Sequence, residues 1–299
     1  MATLIGFAGR FWWIFELASH FRVQYGIALG SAALLLLILR QQRWAALFGM
    51  CALLNLVVIA PAFWNDAPPA STPNNGQPIL RAFLANINSN NRDHARIWQT
   101  ITEYHPDFVV LLETTPQLLK QLTHLTSQYP YRIASPREDN FGIALFSRHP
   151  FLQANTLYLG SPDFPSIAAE FVSGGRHCSV LGTHPPPPVS AQSTQERNAQ
   201  LRQLASFARQ STQPLLLLGD LNTSPWSPYF DPLLADSGLH DSRLGRGILP
   251  SWPAGWPLLW IPIDHALFSN GIQVWRLAIG PDIGSDHYPV IVDFSVTGS

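Results

Sequence analysis

Two short polar clusters, each joined to an apolar strand, constrain the fold of this chain more than any other feature of its sequence. Four leucines at 215–218 run into Gly-Asp-Leu-Asn, and Gly-Ser-Asp-His at 284–287 runs into Tyr-Pro-Val-Ile-Val. Since residues two apart on a strand share a face, we expect Asp220 and Asn222 to project together. A carboxylate and an amide there, with the acidic residue and the histidine of the second cluster nearby, suit metal-assisted hydrolysis at phosphorus.

Residues 1–64 form an almost entirely apolar region, unlike the rest of the chain. Charged residues make up only 12% of the sequence, about half the usual share, and this region contributes very few of them. Two apolar segments, 23–39 and 44–64, come close to the roughly 20 residues that cross a bilayer, so we predict a transmembrane helical hairpin. A cleaved signal peptide or a buried soluble hairpin fits less well, because two apolar segments follow one another and neither has a polar face.

The short loop between these segments carries Arg40 and Arg43, which places it in the cytoplasm by the positive-inside rule. We therefore expect the chain after Trp64 to lie on the extracytoplasmic, periplasmic side of a bacterial-type inner (plasma) membrane. Residues 1–22 are interrupted by charged side chains and carry a Phe-Trp-Trp group. They are expected either to lie in the membrane interface or to form a third, poor span.

Beyond a linker at 65–78, rich in Pro, Ser, Asn and Gly, residues 79–299 form the predicted folded domain. Apolar strand-like runs alternate there with helical stretches. The predicted strands are Ile79–Ala85, Phe108–Leu112, Gly142–Phe146, Ala168–Val172, Ser179–Thr183, Leu215–Leu218, Ile263–Phe268, Val274–Ile279 and Val290–Phe294. The predicted helices are Arg92–Tyr104, Pro116–Ser127 and Ser193–Gln210. This alternation implies an α/β (α+β) sandwich built on two sheets.

Polar residues end or open most of these strands, and all of them are Asn, Asp, Glu or His. They are Asn86, Glu113, His184, Asp220 with Asn222, Asp264 with His265, and Asp286 with His287. One polar residue after an apolar run is usually a solvated turn residue, but six such sites are hard to attribute to turns alone. The strand ends therefore predict one shared site.

In these segments the chain resembles the endonuclease/exonuclease/phosphatase superfamily, which includes pancreatic deoxyribonuclease, abasic-site endonucleases, neutral sphingomyelinases and inositol polyphosphate 5-phosphatases. The resemblance covers about 79–294, with the family's motifs in order: Ala85-Asn-Ile87, Pro106-Asp-Phe-Val-Val-Leu-Leu-Glu113, Gly142-Ile-Ala-Leu-Phe-Ser-Arg148, Gly182-Thr-His184, Gly219-Asp-Leu-Asn222, Ile263-Asp-His265 and Gly284-Ser-Asp-His287. It implies a four-layer α/β/β/α sandwich of two mixed sheets and a divalent-metal phosphoesterase. The membrane hairpin lies outside the match.

The resemblance also implies a set of metal ligands. Glu113 is the candidate for direct ligation, with Asp286 as a second carboxylate and Asn86 as a supporting ligand. A site with few carboxylates suits Mg²⁺, because this ion prefers oxygen ligands and keeps several waters. Mn²⁺ is the alternative ion.

The remaining strand-end residues receive catalytic roles from the same resemblance. His287 transfers a proton or stabilises the transition state, and Asp264 orients its ring. Asp220 orients and deprotonates the attacking water. Asn222 donates to a phosphoryl oxygen or positions Asp220, and His184 binds phosphate or acts as a general acid.

Residues near these motifs have weaker claims to a function. Strand alternation points His265 away from the site, and Arg197 is either a phosphate contact or an ordinary surface arginine. The segment 249–260 holds three tryptophans among several prolines. One possibility is a rigid, exposed aromatic loop that contacts the bilayer interface or binds an apolar group of a ligand. The other is a packed loop that covers a sheet edge.

Three functions remain open from the sequence. One is a phosphodiesterase or phosphatase that acts on a lipid or a small phosphorylated substrate near the membrane, and another is an extracytoplasmic nuclease that acts on DNA or RNA. Residues 65–299 carry a net charge of −4, a poor match for a long nucleic acid. A membrane-tethered binding protein with a decayed site is the third, although none of the motif residues is lost. The expected partners are a phosphate-ester substrate and a lipid bilayer, with nucleic acid as the alternative and no obligate protein partner.

Overall fold

The computed structural model of the chain describes residues 1–64 and 77–297, so the predicted linker lies almost entirely outside the described residues. The helices are α1 (Ala2–Ile5), α2 (Trp13–Leu17), α3 (Arg22–Ile38), α4 (Gln42–Ile59), α5 (His94–Tyr104), α6 (Pro116–Gln121), α7 (Ala191–Gln210) and α8 (Phe230–Ser237). Short 3₁₀ turns accompany them at Gly6–Ala8, Ala60–Ala62, Leu122–Ser127 and Pro257–Leu259. The strands are β1 (Leu80–Asn86), β2 (Phe108–Leu112), β3 (Tyr131–Ser135), β4 (Ile143–Ser147), β5 (Phe151–Tyr158), β6 (Pro165–Ser173), β7 (Arg176–Thr183), β8 (Leu215–Asp220), β9 (His240–Asp241), β10 (Asp264–Phe268), β11 (Ile272–Ile279) and β12 (Val290–Val296).

Two mixed sheets of six strands each form the centre of the domain. The first sheet has the order β11-β12-β1-β2-β4-β3, and the second has the order β5-β6-β7-β8-β10-β9. Each sheet contains one parallel pair, β1 with β2 and β7 with β8, and its other neighbours are antiparallel. The prediction of two mixed sheets with flanking helices is confirmed.

The leucine run of β8 shows why the central strands are apolar on both faces. Leu216 and Leu218 point into the core between the two sheets, whereas Leu215 and Leu217 pack against the helical layer formed by α7 and α8. Helices α5 and α6 cover the outer face of the other sheet in the same way. Each fully buried leucine contributes about 1.5–3 kcal/mol to stability through the hydrophobic effect. Because the leucines hold β8 between the two layers, Asp220 at the end of β8 is held in a fixed position.

Helices α3 and α4 form a hairpin that closes on small residues. Gly26 and Gly30 of α3 face Asn55 and Ala52 of α4, which lets the two backbones come close. The stretch Gln42–Ala62 is long and apolar enough to cross a membrane by length and composition, with a mean hydropathy of 2.2 and only 22% of it buried. Helix α3 has 17 residues, about 26 Å at 1.5 Å per residue, the same number as the predicted segment 23–39 and fewer than the roughly 20 that usually cross a bilayer.

Residues 1–21 pack on the folded domain and do not form a third long helix. The buried Arg22 donates to the Thr3 carbonyl at 2.8 Å, and Asn55 donates to the Thr3 hydroxyl at 3.0 Å. These bonds hold α1 against the hairpin. After α4 the chain returns to the domain, where the Gly247 amide donates to the Ala62 carbonyl at 2.8 Å.

Candidate active site

The sheet topology brings the polar strand ends to one edge of the molecule. The carboxyl ends of β1, β2, β7 and β8 lie at this edge, and β10 and β12 run the opposite way, so their amino ends reach it too. Asp264 at the start of β10 pairs directly with Asp220 at the end of β8. One cavity there is lined by most of the site residues that the sequence indicated: Asn86, Glu113, His184, Asp220, Asn222, Asp286 and His287.

His287 lies between two buried carboxylates. Its Nδ1 is 2.8 Å from Asp264 Oδ2, and its Nε2 is 3.6 Å from Asp220 Oδ2. The Ser285 hydroxyl accepts from the His287 backbone N–H at 3.1 Å and donates to the Asn86 carbonyl at 2.8 Å. This network ties the loop before β12 to the end of β1 and fixes the imidazole ring.

The two carboxylates determine the charge of His287. Burial alone lowers the pKa of this imidazole, but the Asp264 and Asp220 carboxylates outweigh it and raise the pKa to about 10. Burial likewise raises the pKa of Asp220, but His287 and His184 outweigh it and bring the value to about 2. At neutral pH the site therefore holds an imidazolium beside an ionised Asp220.

His184 and Asn222 form the opposite side of Asp220. His184 Nε2 is 3.5 Å from Asp220 Oδ2 and 3.4 Å from Asn222 Nδ2. Burial lowers the pKa of His184, but the hydrogen bond and the negative charge of Asp220 raise it by more, so the pKa lies above its usual value. Asn222 also donates to the Pro185 carbonyl at 2.9 Å, so the rigid proline segment after β7 positions its amide.

Asn86 connects the two sheets at the site. Its amide nitrogen donates to Glu113 Oε1 at 3.0 Å and to Asp220 Oδ2 at 3.1 Å. Glu113 Oε2 accepts from the Ser89 backbone N–H at 3.0 Å. Asp286, which is exposed, accepts from the Asn88 side chain at 2.8 Å and from the Trp252 indole at 3.3 Å.

The donor set around the cavity fits a divalent cation. Ligand atoms of Asp220, Asp264 and His287 lie within 4.8 Å of one another, a spacing that could hold a metal ion when the His287 imidazole is deprotonated. Asp264 Oδ1 is buried without a hydrogen-bond partner among the described residues. Together with the Glu113 and Asp286 carboxylates, this is the hard oxygen chemistry that Mg²⁺ and Mn²⁺ bind.

The backbone bends sharply where two site residues leave their strands. Glu113 (φ 61°) and Asn222 (φ 49°) adopt left-handed conformations that are costly for residues other than glycine and are concentrated at functional sites. We expected Asp220 and Asn222 to project together because they would share one face of a strand. That reason is wrong, because β8 ends at Asp220. Both side chains still reach the cavity, since the turn directs Asn222 back into it.

The amino-terminal segment builds one wall of the cavity, which the sequence reasoning missed. Trp13, Leu17, His20 and Phe21 all line it. The available signal was the charged Glu16 inside an otherwise apolar stretch, since an isolated acid there needs a buried partner.

Arg197 is that partner, so the hypothesis of a phosphate contact at Arg197 is wrong. Arg197 is fully buried, donates to both Glu16 carboxylate oxygens at 2.7 and 2.5 Å, and donates to the Asn222 carbonyl at 2.9 Å. His265 is buried away from the cavity, as alternation predicted, with Nε2 2.8 Å from the Thr223 carbonyl. Burial, and then Arg243, lowers the pKa of His265 well below its usual value.

Comparison with known sequences gives one family. The profile of the Endonuclease/Exonuclease/phosphatase family matches residues 83–287, more than half of the chain. The comparison with curated protein sequences gave no significant match.

Comparison with solved structures gives the same fold. A Bacteroides vulgatus endonuclease/exonuclease/phosphatase is 19% identical with a TM-score of 0.62 and covers 74% of this chain and 100% of its own. D. rerio TDP2 complexed with a single-strand DNA product is 18% identical with a TM-score of 0.60, covering 73% and 99%. The human Nocturnin catalytic domain with bound sulfate is 19% identical with a TM-score of 0.59, covering 74% and 96%. The similarity spans the domain that carries the cavity.

Proposed function

Because the chain belongs to the endonuclease/exonuclease/phosphatase family, whose members are typically hydrolases of phosphoester bonds, we propose that it is a divalent-metal-dependent phosphoesterase. The observation that supports this most is the buried arrangement of His287 between Asp264 and Asp220 at the joint edge of both sheets. A decayed binding protein would not be expected to keep an imidazolium, a carboxylate base and a group of oxygen ligands in one cavity.

Asp220 orients the nucleophile in the proposed reaction. With a pKa of about 2, it is ionised at neutral pH and accepts a hydrogen bond from a water molecule in the cavity. The water oxygen attacks phosphorus and its proton passes to Asp220 as the new P–O bond forms and the bond from phosphorus to the leaving oxygen breaks. Asn222, whose backbone N–H donates to Asp220 Oδ1 at 2.9 Å, holds the carboxylate in place.

His287 and His184 act on the charge that develops at the phosphoryl group. Asp264 fixes Nδ1–H of His287, so Nε2–H points into the cavity and donates to a non-bridging oxygen. His184 Nε2, on the other side of Asp220, donates to phosphate or protonates the leaving oxygen. Preorganised donors of this kind cost no reorganisation at the moment of reaction, which is why they lower the barrier.

Glu113, Asp286 and Asn86 would hold the metal ion, with Mg²⁺ as the first choice and Mn²⁺ as the alternative. The ion would supply Lewis-acid neutralisation of the phosphoryl oxygens and the leaving group. The Asp264–His287 hydrogen bond at 2.8 Å favours an orienting role for Asp264 over ligation.

We also propose that the chain is tethered to a membrane through α3 and α4. The low burial of Gln42–Ala62 argues against a core helix, and the charged tip of the hairpin at Arg40 and Arg43 is exposed. Both hairpin ends meet the folded domain, so one side of the bilayer would hold the domain and the other the arginine tip. The positive-inside rule then favours an extracytoplasmic domain at a bacterial-type inner membrane.

An extracytoplasmic nuclease is the second candidate. D. rerio TDP2, which shares the fold, was solved with a single-strand DNA product. Residues 65–299 carry a net charge of −4, which favours a smaller or lipid phosphoester over a long polyanion.

Hydrolysis of bis(4-nitrophenyl) phosphate and 4-nitrophenyl phosphate by the full chain tests the proposed function. Activity is expected with Mg²⁺ or Mn²⁺, and none after chelation. Glu113→Ala should abolish it at low metal concentration, whereas Glu138→Ala, at an exposed glutamate outside the cavity, should leave it unchanged. Metal-independent hydrolysis, or full activity in His287→Ala, would contradict the proposal.

A further inference from the structure

The cavity above the polar strand ends is far larger and more apolar than a phosphate group needs. Its volume is about 840 Å³. Besides the polar site residues, its lining includes Trp13, Leu17, Phe21, Phe141, Val189 and Trp252. Among the described residues, the lining includes no lysine or arginine, so a polyanionic strand would find little charge compensation there.

The apolar wall is held firmly against the domain by buried polar contacts. Glu16 accepts from Arg197 and from the Ser227 hydroxyl at 2.7 Å, and His20 Nδ1 is 2.9 Å from the Ser224 hydroxyl. Both anchors lie on the same short stretch as Leu17 and Phe21. The amino-terminal wall is therefore a built part of the cavity.

This wall continues directly into the membrane hairpin. Phe21, which lines the cavity, is followed at once by α3, and the Gln24 side chain in the first turn of α3 donates to the Trp260 carbonyl at 2.8 Å. The tryptophan segment thus lies beside the base of the hairpin. Its Trp256 and Leu258 are 68% and 85% exposed, an exposed apolar patch of the kind that touches a bilayer interface.

From this continuity we infer that the substrate is a membrane lipid phosphoester, whose phosphate lies at the polar strand ends and whose hydrocarbon tail lies along Leu17, Phe21 and Val189 toward the hairpin. The inference rests on the proposed function for the position of the phosphate. The tail replaces water against apolar side chains, and each buried methylene contributes about 0.8 kcal/mol. A lipid would reach the cavity by sliding from the bilayer along α3.

Binding of n-alkylphosphonates of two, four, six and eight carbons tests the inference, because their P–C bond cannot be hydrolysed. Calorimetry on the full chain in nanodiscs with Mg²⁺ should show the Kd falling up to about fourfold per added methylene. Leu17→Gln and Val189→Gln should each flatten this dependence. Ile14→Gln is the matched control, because Ile14 is on the same helix as Leu17 but is exposed and outside the lining.

A Kd that does not depend on chain length in the unmodified chain would overturn the inference, as would tighter binding of a single-stranded oligonucleotide than of octylphosphonate. If Leu17→Gln detaches the amino-terminal segment, Val189→Gln decides, since Val189 is 72% exposed on a separate loop. If the protein hydrolyses bis(4-nitrophenyl) phosphate but the Kd of the alkylphosphonates does not depend on their length, only the assignment of a lipid tail is refuted. If the Kd of the alkylphosphonates falls with their length but no phosphoester is hydrolysed, the proposed function is refuted.

Discussion

At the scale of single residues, charge pairing explains the buried ionisable groups of the site. Asp220 contacts Asn86, His184 and His287 through one oxygen, at 3.1, 3.5 and 3.6 Å. A buried carboxylate is stabilised only when such partners are present. The same partners hold the pKa of Asp220 low and the pKa of His287 high, so the residues of the site set each other's protonation states.

Asp264→Asn tests the orienting role of this carboxylate. The amide keeps the shape of the side chain but removes the charge that fixes the His287 ring, so we expect kcat to fall by about 10²–10⁴-fold with little change in KM. Steady-state kinetics and thermal melts measure the two effects separately. Asp163→Asn, at an exposed acid away from the cavity, serves as the control, and wild-type kcat in Asp264→Asn would refute the assignment.

His20 gives the amino-terminal wall a defined dependence on pH. Burial, and then the charge of Arg197, lowers the pKa of His20 from 6.5 to about 3. The unfolded chain therefore binds a proton below pH 6.5 that the folded chain does not, and stability is lost as the pH falls from 6.5 toward 3. Between pH 6.5 and 5 this amounts to about 2 kcal/mol.

Denaturation of the wild type and of His20→Asn at pH 7.5 and at pH 5 measures this effect. The free energy of unfolding of the wild type should fall between pH 7.5 and pH 5 by more than that of the variant, because the variant has no imidazole at position 20 to protonate. Parallel pH profiles for the two proteins would show that His20 is not held neutral in the folded state.

At the scale of secondary-structure elements, a buried ion pair anchors α2 to the folded domain. Glu16 and Arg197 are both fully buried, and removal of one partner leaves an uncompensated charge that costs about 3–5 kcal/mol. Glu16→Ala should therefore detach the amino-terminal segment or lower the midpoint of denaturation strongly. Limited proteolysis within residues 1–21 reports detachment, with Glu138→Ala as the matched control. Unchanged protease resistance in Glu16→Ala would contradict this role.

The central strands could be predicted from the sequence, whereas several outer elements could not. Strands such as β2 and β8 are buried on both faces, so their apolar runs are continuous. Strands β3 and β5 lie at sheet edges, where much of each strand is exposed and polar residues interrupt the pattern. Helix α8 was also missed, because its eight residues include a proline and two aspartates.

The same contrast holds for the site. The strand-end residues could be found because polar residues after buried strands form a local pattern. The wall at Trp13, Leu17 and Phe21 could not, because it depends on a tertiary contact between segments some 180 positions apart, Glu16 and Arg197. Local patterns carry no information on docking of that kind.

At the scale of the whole molecule, the charge distribution and the hairpin together suggest how the protein is oriented. Residues 65–299 carry a net charge of −4, and the hairpin loop carries two of the four arginines in residues 1–64. A hairpin places both of its ends on one side of a bilayer. The domain, the amino-terminal wall and the exposed Trp256 would then face the same interface.

Reporter fusions in a bacterial host test this orientation, because alkaline phosphatase folds only outside the cytoplasm. A fusion after Trp64 should be active, since the chain there has crossed the membrane twice from the extracytoplasmic side. A fusion after Gln41, in the loop with Arg40 and Arg43, should be inactive, because Lys and Arg in short loops keep them in the cytoplasm. Replacing both arginines by glutamine removes this bias, so the activity ratio of the two fusions should fall. Equal activity in the two unmodified fusions would contradict the hairpin, and the reverse pattern would place the phosphoester site in the cytoplasm.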